Sequence, residues 1–490
     1  MESGPTIFVH PLPGSATAAV GAWVRSGSAD EDVGAAGITH LLEHLLLRRS
    51  GERTPEAISE LIDSLGGAVD AFTTHEACAV TAHVPAERFE EALDLVLDAV
   101  FDPRLVASEV ELERRVVAAE FDLIQDSPAE VVAENALAAC WGDHPLARPV
   151  LGRRNVVERL GVDDLDRFHR TRFAPANLLL VAAGPVDEGR IRERVARVRG
   201  SGAPPPPLTA PAWRAGVAVE ERDGLEQLYA NLVLPALASA DPEVLTLGVL
   251  NQLLGGGASS RLFRELRDRL GLVYDVGTSI FAAAVAGVLE VTFSAPVRQA
   301  GACWDAVLRV LGDVAAGRVT DGEVSLARQA LASGIVLGAE GTDALMEAHA
   351  GELLARARPF DAGVVRRELD GVTPDRVRAL AARVVRLDAL AGAVCGPGAG
   401  LRLPAGLAQR VAGARRWWSP SAACRTPTGC RCRGSPPPGR RAPTWRRRSS
   451  RRSCWRRWSA ERCRPGSSSR CLPATRCRCG PAPAWRCATA

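Results

Sequence analysis

The sequence predicts an α+β protein built as two similar domains, each a mostly antiparallel sheet covered by helices. Three observations lead there. A proline-rich stretch, "SGAPPPPLTAPA" at 201–212, reads as a linker between two bodies of comparable length. The chain repeats itself weakly at a spacing of about 210 residues. Strand-like runs such as "AVTAHVP" and "VLEVTFSAP" are interleaved with segments of helical periodicity. The expected division is a first domain over 1–200, the linker over 201–212 and a second domain over 213–405.

Taken in order, the first clear helix is "GITHLLEHLLL", 37–47, an apolar run that carries His40, Glu43 and His44. "DPRLVASEVELERRVV" opens a long helix in the first half and "AGRVTDGEVSLARQAL" opens its echo in the second. In the first of these, Val110, Val116 and Val117 offer an apolar stripe for packing. "LGVDDLDRFHRTRFAPANLLLVAAGP" closes the first half and "LDGVTPDRVRALAARVVRLDALAGAVCGP" the second. Each reads as a turn, an amphipathic helix, a short connection and an apolar strand stopped by Gly-Pro. The second-half counterpart of "THLLEHLL" is "GVLNQLLG", which lacks histidine. A requirement of the fold would be met in both copies, so the polar face of the first copy reads as functional.

Hydrophobic residues make up 47% and charged residues 24%, as expected of a globular chain. No run of about 18 apolar residues is present to span a membrane. "MESGPTIFVHPLPGS" lacks the basic and apolar regions of a secretory signal, so the expectation is a cytoplasmic location, or a leader missing from this chain. The net charge of +3 hides two unlike parts: 411–490 carries +19, and the rest −16. That last segment holds 20 arginines, a single acid (Glu461) and nine of the 13 cysteines, without helical or strand periodicity. The pattern fits a GC-rich gene read out of frame, or a disordered tail. Paired CxxC spacing and histidine are both missing from it, which weakens a zinc module. A nucleic-acid-binding reading would rest on this tail alone and is not expected of the protein.

His40, Glu43 and His44 stand at i, i+3 and i+4, one above another on a helix. Histidines at i and i+4 can turn a ring nitrogen each toward one cation, and H-x-x-E-H is the inverse of H-E-x-x-H. Its glutamate is placed to take a proton from a water on the metal. A catalytic zinc needs a third protein ligand, and "EVELERRVVAAEFDLIQDSP" offers two acids seven apart on one helix face. Glu120 is the expected ligand and Glu113 the outer acid that orients or balances the site. The other six histidines (His10, His75, His83, His144, His169 and His349) form no metal spacing.

"GAWVRSGSADEDVGAAGITHLLEHLLLRRSGERT" resembles the N-terminal motif of the pitrilysin or insulinase family of zinc metallopeptidases. The resemblance is particularly to that family's half-length branch, which includes mitochondrial processing peptidase. "ERRVVAAE" has the form of that family's third-ligand helix, and Glu120 falls 76 residues past His44, as the resemblance requires. The resemblance covers about residues 6–400 and implies zinc held by His40, His44 and Glu120, with Glu43 as general base. "GGGASSRLFRELRDRLGLVYDV" is similar to the family's second-domain motif, which makes Arg267 and Tyr274 substrate-binding residues. Asp70 stands where the family usually has asparagine, and Leu270 where a basic residue is common.

The resemblance implies hydrolysis of extended or unfolded peptides, added as a strand along an edge at about residues 69–76. The resemblance also implies a homodimer or a heterodimer with a related chain. Arg267 and Tyr274 would then serve the partner's zinc. The competing expectation is a non-catalytic partner subunit or scaffold of such a dimer.

Overall fold

The computed structural model describes residues 4–200, 202–397 and 403. The arginine-rich segment 411–490 lies outside them. Two five-stranded sheets organise the described residues. The first contains β1 (Thr6–Pro11), β2 (Thr17–Val24), β3 (Ala68–Thr73), β4 (Cys78–Pro85) and β5 (Leu178–Gly184), in the order β1-β5-β2-β4-β3. The second repeats it with β6 (Gly216–Glu221), β7 (Gln227–Ala236), β8 (Val276–Ala282), β9 (Gly287–Pro296) and β10 (Ala391–Gly396), in the order β6-β10-β7-β9-β8. In each sheet one pair is parallel, β1 with β5 and β6 with β10, and the other pairs are antiparallel. Residues 202–215 connect them with neither helix nor strand.

The apolar closing strands of the two halves become the second strand in each order. β5 (LLLVAAG) and β10 (AGAVCG) are buried throughout, as fits strands covered on both faces. Helices Ile38–Leu46 and Phe89–Phe101 pack on the first sheet, and helix Val244–Leu254 packs on the second. Other helices are exchanged. Thr342–Arg356, from the second half, lies on β2 and β5 of the first sheet, whereas Pro128–Trp141, from the first half, lies on β7 and β10 of the second. Met346 and Ala350 enter a cluster with Ala19, Trp23, Leu179 and Val181. Thr342 meets Thr17, hydroxyl to hydroxyl, at 2.9 Å, and His349 Nε2 lies 2.9 Å from His10 Nδ1. Each half therefore completes the core of the other.

The edge expected at about 69–76 is strand only to Thr73, because the chain turns back through Thr74–Ala77. Among the described residues no helix is long and apolar enough to cross a membrane.

Candidate metal centre

The helix Ile38–Leu46 buries Leu41, Leu42, Leu45 and Leu46 completely or nearly so, and this fixes its rotation about its axis. The same rotation aims His40, Glu43 and His44 at the long helix Ala107–Asp126. Val110, Val117 and Phe121 anchor that second helix in the core. Val116, expected in the same stripe, is instead 41% exposed. It sits 100° around the helix from Val117, and the inward arc is taken by Glu113, Val117 and Glu120.

The start of the metal-facing helix is constrained. Gly37 has φ +101°, and a Cβ there would lie 2.5 Å from the carbonyl oxygen of Leu151. No other residue type fits that combination without displacing the backbone. The buried Glu31 carboxylate accepts the N–H of Gly37 at 2.7 Å and that of Thr39 at 2.8 Å. These are donors that a helix N-terminus leaves without intrahelical partners. Buried Arg148 donates to the Glu31 carbonyl at 2.9 Å, and the Arg148 carbonyl lies 3.1 Å from His75 Nε2. The turn between β3 and β4 and the 145–152 segment are thereby tied to one helix end.

At the site, Glu120 Oε2 lies 3.6 Å from His40 Nε2 and 3.5 Å from His44 Nε2. One ligand atom from each of the three residues falls within 4.8 Å of the others. Tetrahedral ligands about 2.05 Å from a zinc ion are spaced by roughly 3.3 Å, so these separations suit a shared cation better than direct hydrogen bonds. Glu120 Oε2 is buried and has no hydrogen-bond partner, which is the fit expected of a donor reserved for a metal. The opposite nitrogen of the second ring, His44 Nδ1, lies 3.2 Å from Glu113 Oε2. Arg48 Nε approaches the other oxygen of Glu113 at 3.2 Å. With the proton on Nδ1 shared with Glu113, the Nε2 lone pair faces the site.

Glu43 Oε2 is 4.0 Å from His40 Nε2 and accepts a hydrogen bond from the Thr73 hydroxyl at 3.2 Å. Burial pushes its pKa up to about 7. Burial also drives His40 down to about 4, helped by the charge of His44. For His44 burial acts downward too, but Glu120, Glu43 and Glu113 outweigh it and hold the ring up to about 9. Burial raises Glu120 while the two histidines pull it lower, and the histidines win. To hold a dication here, His44 would have to present Nε2 unprotonated, as a neutral imidazole.

The sequence-level candidates thus converge in one place for His40, Glu43, His44, Glu113 and Glu120. Arg267 and Tyr274 form a separate pair. The Arg267 guanidinium carbon lies 5.0 Å from the Tyr274 ring centroid and 4.7 Å from that of Phe263. Tyr274 is 83% exposed and occupies a bend before β8. Among the described residues no hydrogen bond, ion pair or ring contact joins this pair to His40, Glu43, His44 or Glu120. Glu31 and Thr73 complete the site without any spacing in the sequence that announces them.

Comparison with known proteins places these features. The family model described as "Insulinase (Peptidase family M16)" matches residues 7–154, and "Peptidase M16 inactive domain" matches 159–331. The chain belongs to the M16 peptidase family. Its histidine cluster falls within the first M16 match, and the second match covers the half whose counterpart helix has no histidine. Among M16 relatives, an uncharacterized zinc protease of Mycobacterium leprae is 33% identical over 81% of this chain and 91% of its own length. One from Streptomyces coelicolor is 33% identical over 79% and 86%. A solved protease from Helicobacter pylori shares the fold, with a TM-score of 0.76, 19% identity, and coverage of 81% of this chain and 98% of that one. A Pseudomonas fluorescens structure described as a peptidase M16 inactive domain gives a TM-score of 0.75 at 19% identity, covering 81% and 96%.

Proposed function

We propose that this M16 protein is a zinc-dependent endopeptidase that cleaves extended or unfolded peptides. The observation that carries the reading is the convergence of His40 Nε2, His44 Nε2 and Glu120 Oε2 within 4.8 Å, beside the half-buried Glu43. His40, His44 and Glu120 would hold the ion, and Glu113 would orient His44. A zinc ion held there supplies Lewis acidity, polarising a carbonyl and making water a stronger acid near neutral pH. Glu43 takes the proton from the attacking water and returns it to the departing amine. Burial, which raises its pKa, makes it a better proton acceptor than an exposed carboxylate. Thr73 steadies that carboxylate through its hydroxyl.

β3 is the outermost strand of its sheet and ends at Thr73, so a peptide paired along it passes beside Glu43. Main-chain pairing of this kind holds varied sequences and requires an extended substrate, so folded proteins are excluded. We read Arg267 and Tyr274 as serving the site of a partner chain, with the phenol donating to the developing oxyanion. Their exposure and their lack of contact with this chain's own cluster support that reading. Mixing inactive Glu43→Gln with inactive Tyr274→Phe protein restores hydrolysis if the partner supplies the tyrosine, and does not if each chain supplies its own.

The direct test of the peptidase reading is Glu43→Gln in the zinc-loaded protein. Peptide hydrolysis falls by at least about a thousandfold while zinc is retained. Undiminished hydrolysis by this variant would refute the assignment.

A further inference from the structure

The free edge of β3 is occupied by one of its own side chains. The bond from the Thr74 N–H to the Ala77 carbonyl, 2.7 Å, sets the alternation of the strand. Thr74, Phe72 and Asp70 turn their main-chain groups toward β4, so Thr73, Ala71 and Val69 turn theirs outward. The outward N–H of Ala71 donates to Asp70 Oδ1 at 2.9 Å. The exposed Asp70 carboxylate thus covers the same donor that an incoming peptide strand would use. Side-chain alternation sets Asp70 with Phe72 on the face opposite Thr73, at the rim of the sheet. Among the described residues no arginine or histidine pairs with Asp70, whereas Glu43, Glu109 and Glu113 all have side-chain donors.

We propose that Asp70 is a specificity-determining residue that selects peptides bearing arginine or lysine opposite it on β3, to one side of the cleaved bond. This rests on the peptidase reading above. A peptide carbonyl that takes the Ala71 N–H displaces the carboxylate and leaves it without a partner. A cationic side chain directly across the strand pair meets that freed charge, and an acidic one is repelled. Until a peptide arrives, the same carboxylate shields an edge that would otherwise pair with other chains.

The test uses two matched sets of quenched-fluorescence peptides, one moving a single arginine through successive positions and one carrying glutamine instead. With zinc-loaded wild-type protein, kcat/KM at the favoured position exceeds that of the glutamine peptide by about three- to fivefold. In Asp70→Asn the ratio falls to about one, whatever the absolute rate. Binding of the same peptides to Glu43→Gln and to Glu43→Gln/Asp70→Asn, read by fluorescence anisotropy, shows the same preference and the same loss. An equal ratio in wild type and Asp70→Asn, or no preference in either assay, overturns the proposal. Peptides that bind with the preference but are never cleaved would sink the peptidase reading and leave the role of Asp70 standing.

Discussion

Removing the carboxylate of Glu31 tests whether the metal-facing helix is held in place from its first turn. In Glu31→Ala the N–H groups of Gly37 and Thr39 lose acceptors at 2.7 and 2.8 Å, in a place where water does not readily replace them. Each buried donor left unsatisfied costs about 1–3 kcal/mol. The gain from no longer burying a carboxyl, whose pKa burial has pushed up to about 7, offsets part of this. A net loss of about 1–3 kcal/mol is expected from urea unfolding of the zinc-free protein. Zinc affinity, measured by competition with a chromogenic chelator, weakens in parallel, because His40 follows Thr39 directly in the chain. A loss below about 1 kcal/mol together with unchanged zinc affinity would refute the argument that this cap positions the ligands.

Two further outcomes follow from other contacts. Glu113→Gln keeps the shape but weakens the acceptor at His44 Nδ1, so zinc affinity by chelator competition drops about 10–100-fold without loss of the fold. Burial, with His10 adjacent, lowers the pKa of His349 from 6.5 to about 4. Its folded value lies below its unfolded one, so the stability it contributes is fully present above pH 6.5 and lost as pH falls through 4. Urea midpoints of wild type fall over that window, by up to about 3 kcal/mol of stability. In His349→Leu that part of the acid dependence is absent, and an identical pH profile would contradict it.

What could be read in the sequence is what has short range. His40, Glu43 and His44 are legible because helical periodicity alone stacks them, and Glu113 and Glu120 because two turns separate them. That the two halves form similar sheet-and-helix domains follows from a repeat that the chain itself displays. Glu31 and Thr73 were not legible. One reaches Thr39 from a loop, and the other reaches Glu43 across 30 positions of chain, so neither leaves a spacing to find. The exchange of helices Pro128–Trp141 and Thr342–Arg356 escaped for a related reason. An apolar face shows that a helix will be covered, but the sheet it covers is decided by the three-dimensional path of the chain. His10 and His349 are 339 positions apart, and only that exchange brings them together. Val116 was misplaced because a 3.6-residue turn cannot bring both 116 and 117 inward once Glu113 and Glu120 occupy the same arc.

The measurement that bears most directly on the metal centre is the zinc content of purified protein, by mass spectrometry, for the wild type and for His40→Ala, His44→Ala and Glu120→Ala. The account predicts about one zinc per chain in the wild type and near-complete loss in each variant, with the fold retained by circular dichroism. Full zinc occupancy after removal of any of these three ligands, or no zinc uptake by the wild type, would contradict it.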